Sequence, residues 1–139
     1  MEYLNINPIL NNVLEISSGK NSWDLRNDAD FKEISFNILE NSVTLIWQFP
    51  SVWYKKEHKK TEQKLFLKFI FEKVDFIEID SSDLYGLKSD ITILEGVQNY
   101  YEKRDGSFDN NNFITFEFGN GLKIVIKAEI LRFEELKEQ

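Results

Sequence analysis

The chain of 139 residues contains no cysteine, one histidine, one methionine and two prolines. Without cysteine there is no disulfide scaffold, no thiol nucleophile and no thiolate ligand for zinc or an iron–sulfur cluster; the composition is compatible with a reducing compartment. With His58 as the only imidazole, the usual materials of acid–base and transition-metal chemistry are nearly missing. Only Ala29 and Ala128 are alanines, which disfavours long helices. No run of about 18 apolar residues occurs. The start, Met1-Glu2-Tyr3-Leu4-Asn5, lacks a basic segment followed by an apolar one, so a soluble cytoplasmic protein is expected.

What the chain has is charge of one sign and large side chains. Its formal net charge is -7, and it carries 12 Phe, 5 Tyr and 3 Trp. The length suits a single domain, 1–139, with an aromatic-rich core. The acidic balance disfavours nucleic acid and anionic membranes and favours solubility or a basic partner, as in many ordinary cytosolic proteins.

Hydrophobic periodicity sets the expected architecture. Residues 1–30 read as a lead-in with one short helix, Asn7 capping it, Pro8 in its first turn and Ile9, Leu10, Val13 and Leu14 as its apolar stripe. From 31 to 128 the period is two. Ile34, Phe36 and Ile38 alternate, as do Val43, Leu45, Trp47 and Phe49; a tight turn at Glu40-Asn41 would pair Ile38 with Val43, Phe36 with Leu45 and Ile34 with Trp47. The block Leu65 to Phe71 is a further strand, and Val74 to Ile79 is either its continuation past a bend at Glu72-Lys73 or the return arm of a hairpin. Residues 91–103 fit strand or helix. Gly119-Asn120-Gly121 separates Phe113–Phe118 from Leu122–Ala128, and a three-residue loop with Gly121 left-handed pairs Phe116 with Ile124 and Ile114 with Ile126. The tail from Glu129 packs through Ile130, Leu131 and Phe133 and then frays. The expected fold is mainly β: an antiparallel sandwich or partly open barrel of about seven strands with one short N-terminal helix.

Several residue groups are candidate sites. Trp53 and Tyr54 precede Lys55, Lys56, Glu57, His58, Lys59 and Lys60, a basic patch in a chain whose remainder carries about -10. That remainder repels polyanions, so the patch reads as a solvated hairpin loop or a contact for an acidic spot on a protein. His58 stands among lysines with no orienting carboxylate or nucleophile beside it, which argues against a catalytic base. Asp105, Ser107 and Asp109 have the alternate spacing of a calcium loop, but Asn110 stands where an EF-hand-type loop needs glycine and Phe116 where it needs glutamate. Neither a cofactor nor a strong metal site is indicated.

Glu78, Asp80, Asp83 and Asp90 are close in sequence, as edge carboxylates are and as paired catalytic carboxylates would be. Trp53, Tyr54, Tyr85, Tyr100 and Tyr101 fall at strand ends or in loops, where aromatic side chains anchor interfaces or stack on sugars. The leading expectation is a noncatalytic module whose acids Glu78, Asp80 and Asp83 and loop aromatics contact a basic protein, as an inhibitor or immunity-type protein does. A ligand- or carbohydrate-binding β domain using the aromatics is the second, and a carboxylate hydrolase the last. Homodimerisation by strand addition at Leu65–Phe71 is open if that strand lies at an edge.

Overall fold

A computed structural model describes residues 1–49, 53–54, 60–61, 65–81, 93–119 and 121–137. Its strands are β1 (Glu2–Leu4), β2 (Glu15–Ser18), β3 (Asn21–Asp24), β4 (Asp30–Asn37), β5 (Ser42–Phe49), β6 (Trp53–Tyr54), β7 (Lys60–Thr61), β8 (Leu65–Ser81), β9 (Leu94–Gln98), β10 (Tyr101–Glu102), β11 (Phe108–Asp109), β12 (Phe113–Phe118) and β13 (Leu122–Lys137). The main sheet runs β4-β5-β8-β13-β12-β9 with every pairing antiparallel, and β1 adds to β13 in parallel. No helix is present among the described residues, so none is long and apolar enough to cross a membrane.

Alternation builds the core. Val43, Leu45, Trp47 and Phe49 of β5 are buried, as are Leu65, Leu67, Phe69 and Phe71 of β8. The registers Leu45↔Phe69 and Phe69↔Phe133 line these residues up across three strands on one face. The sheet then curls. Trp47 meets Phe116 with ring centroids 5.7 Å apart, although β8 and β13 separate their strands, and Phe31 of β4 meets Phe118 of β12 at 5.0 Å. Strand twist and the register shifts at Phe31/Glu33, Lys127/Ala128 and Glu117/Phe118 supply the curvature. The β2–β3 hairpin closes over this core through Ile16, Trp23 and Leu25, with Trp23 5.2 Å from Phe133.

The structure corrects the N-terminal expectation. Residues 7–14 form irregular chain, with Asn5 and Asn12 left-handed at φ 63° and 61°. The Asn12 amide, which a helix would have turned to the Pro8 carbonyl, donates to the Val97 carbonyl of β9 at 2.9 Å, and the Asn7 amide donates to the Ser17 carbonyl of β2 at 2.9 Å. A helix of two turns repays little of its nucleation cost, and asparagine readily takes the left-handed turns seen here. Of the expected stripe, Ile9 is buried whereas Leu10 and Val13 are exposed.

The first hairpin is shifted by two residues from its expected register. Phe36 faces Val43, Ile34 faces Leu45 and Phe31 faces Trp47. A slip of two keeps every side chain on its own face, so apolar alternation alone does not choose between the registers. The turn does: Asn37 Oδ1 accepts the Glu40 amide at 3.1 Å and Asn41 is left-handed, φ 53°. This loop leaves Ile38 and Leu39 89% and 99% exposed.

Elsewhere β8 is one strand, bent where Lys73 turns left-handed at φ 53°, and residues 94–98 form strand β9. The C-terminal hairpin has the expected register, with Phe116 opposite Ile124, Ile114 opposite Ile126 and Gly121 left-handed at φ 87°. The tail does not fray after its apolar start. β13 continues to Lys137, pairing with Leu65 at the far end of β8, because the long partner strand supplies a ladder for every residue.

A candidate interaction face on the outer side of the sheet

Beyond the bend at Lys73, Phe76, Glu78 and Asp80 of β8 point away from the core, which takes Ile77 instead. Opposite them on β13 stand Lys127, Val125 and Lys123, and beyond these on β12 stand Phe113, Thr115 and Glu117. The face therefore has three rows: Phe76–Lys127–Phe113, Glu78–Val125–Thr115 and Asp80–Lys123–Glu117. In the first row the Lys127 ammonium lies 5.4 Å from the centre of the Phe113 ring, a cation–π contact, and 3.7 Å from Asp75.

The segment from Asn99 to Asn112 covers the middle of this face. Its β10–β11 hairpin carries Tyr101 over the sheet, where the phenol stacks on Phe76 at 5.5 Å and 29° and tilts against Phe113 at 5.2 Å. The Tyr101 hydroxyl donates to Glu78 Oε2 at 2.8 Å, and the Thr115 hydroxyl donates to the Tyr100 carbonyl at 2.7 Å. Thr115 and Val125 are both buried on this outer side. The Glu78 carboxylate accepting its proton raises the Tyr101 pKa, with burial and the negative charge of Glu78 adding to the effect. Tyr100 packs edge-on against Phe108 at 5.2 Å, and Phe108 itself is 64% exposed.

At the bend, a hollow of about 420 Å³ adjoins the first row, lined in part by Glu40, Asn41, Lys73, Asn112, Lys127 and Glu129. Three left-handed residues that are not glycine meet there: Asn41, Lys73 and Asn112. The Met1 ammonium donates to Asn112 Oδ1, the Val74 amide donates to the Asn41 carbonyl at 3.1 Å, and Lys73 pairs with Glu129 at 3.5 Å.

Of the residues singled out from sequence, the structure brings together Tyr101 and Glu78, with Tyr100 and Asp80 on the same side of the sheet. Glu78 and Asp80 lie two positions apart on β8, on the same side of the sheet. Trp53 and Tyr54 pair through their backbone with Thr61 and Lys60. Lys55, Lys56, His58, Lys59, Asp83, Tyr85 and Asp90 lie outside the described residues, as do the side chains of Trp53, Tyr54 and Lys60.

The calcium-like spacing resolves into local turns. Asp105 Oδ1 accepts the Ser107 amide at 2.9 Å and its hydroxyl at 2.5 Å, which holds the Asp105 pKa below the usual carboxylate range. Asp109 accepts the Asn111 amide at 2.9 Å and lies 3.7 Å from Lys103. Among the described residues no three His, Cys, Asp or Glu side chains are grouped to hold a metal. The stretch Leu65–Phe71 is flanked by β5 on one side and β13 on the other, so it offers no edge for dimerisation.

Phe76, Phe113 and Lys127 were not singled out in the sequence. Their signal was the adjacent apolar pairs Phe76-Ile77 and Phe113-Ile114 and the run Ile124-Val125-Ile126, which place apolar residues on both faces of the sheet. The fold and this face define an all-β domain with a curled, largely antiparallel sheet covered in part on its outer side. Comparison with protein-family models, with curated proteins and with solved structures gave no match.

Proposed function

We propose that the chain is a noncatalytic binding module that takes a basic protein partner on the outer face of β8, in the manner of an inhibitor or immunity-type protein. The observation that carries this reading is the Tyr101–Glu78 hydrogen bond beside the Phe76 stack. It fixes an aromatic surface next to the carboxylates of Glu78 and Asp80 on a strand that is open on one side among the described residues. Rigid aromatics beside acids suit a partner that presents Lys or Arg, since the rings supply area at small entropy cost while the acids speed encounter and select its charge. The net charge of -7 acts in the same direction at longer range.

The test is affinity capture from the source lysate by the tagged chain and by its E78K/D80K variant, at about 50 and 500 mM salt, across which the screening length falls severalfold. The reading expects a basic protein held in equal amount at low salt, released at high salt and lost to the variant. Retention by the variant equal to that of the parent chain rules out this face.

A second reading rests on the hollow at the bend, where Lys73–Glu129 and Lys127–Asp75 present paired charges around a space of about 420 Å³. Such a lining suits a small polar ligand carrying both charges. A ligand of this kind would raise the melting temperature of the parent chain but not of K127M.

A further inference from the structure

β8 runs from Leu65 to Ser81, but β5 flanks only Leu65–Phe71. The Val74 amide still meets the Asn41 carbonyl at 3.1 Å. From Asp75 to Asp80 the strand has a hydrogen-bonded neighbour only on its β13 side, among the described residues. Antiparallel ladders alternate, so every second N–H and C=O pair along this stretch faces away from β13. The result is an open template about 20 Å long.

Among the described residues, two other edges of the sheet, those of β9 and β4, are blunted. Asn12 donates its amide to Val97 of β9 and Asn11 Oδ1 accepts the Asn99 amide at 2.7 Å, so chain already lies along β9. β4 carries a register shift at Phe31/Glu33 and the charges of Asp30, Lys32 and Glu33. The β8 edge has acids at Asp75, Glu78 and Asp80 and leaves Phe76 and Ile79 partly open, at 37% and 46% exposure.

We infer that this edge accepts an extended segment of the basic partner as an added antiparallel or parallel strand; the inference rests on the binding reading above. Strand alternation then specifies the segment. Its outward side chains lie beside Phe76, Glu78 and Asp80 and carry Lys or Arg next to the two acids, while its inward side chains lie beside Ile77 and Ile79 and are apolar. A second copy of the chain is a poorer occupant: two-fold pairing centred on Glu78 or Ile79 sets Glu78 against its own copy or against Asp80, and pairing centred on Ile77 sets it against Phe76, so none of these registers places a basic side chain opposite either acid. The acids thus disfavour self-pairing and favour a basic strand.

The test uses the full chain and a fluorescein-labelled peptide of alternating Lys and Val, capped at both ends, in three forms: unmodified, and N-methylated on one or the other alternate set of backbone amides. Strand addition predicts that the unmodified peptide shifts the backbone amide resonances of residues 75–80, that one methylated form binds at least tenfold more weakly, and that the other binds as the unmodified peptide does. E78K/D80K, with its fold checked by circular dichroism, also binds at least tenfold more weakly. If the charge reversal weakens binding but both methylated peptides bind equally well, the acidic face survives and strand addition is wrong. If the unmodified peptide leaves residues 75–80 unshifted, strand addition is likewise overturned, and capture of a salt-sensitive basic partner then decides separately whether the binding reading stands.

Discussion

Trp47 and Phe116 give a direct test of the curl. Both are essentially buried, at 0% and 1% exposure, and their rings lie 5.7 Å apart. In the order β5-β8-β13-β12 three inter-strand steps separate them, so a flat sheet would hold their strands about 14 Å apart, beyond van der Waals contact. In the curled sheet Trp47 also packs edge-on against Phe69 at 5.0 Å and, tilted, against Phe31 at 4.9 Å. Each of Trp47→Leu and Phe116→Leu is expected to cost roughly 1–4 kcal/mol through lost burial and the cavity left behind. An aromatic pair in contact adds a coupling of about 0.5–1.5 kcal/mol. For a chain of this length each kcal/mol corresponds to about 3–5 °C in melting temperature. Urea unfolding of the parent, both single variants and the double variant, followed by circular dichroism, yields the coupling as the shortfall from additivity. Additivity within about 0.3 kcal/mol would refute the contact and with it the curl.

Three further outcomes follow from particular contacts. Tyr101→Phe removes the hydrogen bond to Glu78 and should destabilise by about 0.5–1.5 kcal/mol. Because the folded Tyr101 pKa is raised, its contribution is complete below the unfolded tyrosine value near ~10 and is lost as pH rises through the folded value; a phenolate absorbance titration placing Tyr101 at or below ~10 contradicts this. Burial raises the Asp24 pKa, but hydrogen bonds from the Asn27 amide, the Asn27 side chain and the Arg26 amide outweigh it and leave the value lowered. Its contribution is therefore present above ~3.9 and lost as pH falls through the folded value, so Asp24→Ala should flatten the acid limb of the stability curve, and an unchanged limb would count against those bonds. Gly121→Ala forces a Cβ onto a backbone at φ 87° and should lower stability by about 1–2 kcal/mol in the same urea assay, whereas no loss would mean that the turn is not left-handed there.

The parts of the fold legible in the sequence are those where two independent signals agree. At the C-terminal hairpin the Asn-Gly turn and the pairs Phe116–Ile124 and Ile114–Ile126 demand the same register, and the structure has it. At the first hairpin the sequence offers a tight turn at Glu40-Asn41, but period-two patterns are blind to a slip of two, and the longer turn held by Asn37 and Asn41 decides the register. The N-terminal stripe Ile9-Leu10-Val13-Leu14 matches a helix over too few residues to outweigh the hydrogen bonds that Asn7 makes to β2 and Asn12 to β9. The charged end of β13 resembled a fraying tail because its partner, the first half of β8, lies more than fifty residues away in the chain.

The outer face was harder to foresee for the same reason. Tyr101 and Glu78 are each contact candidates in the sequence, but what joins them is the path of residues 99–112 back over the sheet, which no local pattern encodes. Phe113 and Phe76 were legible only as apolar residues on the side opposite the core, a sign that something covers that side.

The central claim is that a basic partner is held on β8 and the Tyr101 segment beside it. Hydrogen–deuterium exchange of the chain alone and in the captured complex tests it most directly. The account predicts new protection concentrated in residues 74–80 and 99–103, with the same residues unprotected when E78K/D80K is mixed with the partner. Protection confined to β6 and β7, or to the exposed Ile38-Leu39 turn, would contradict it.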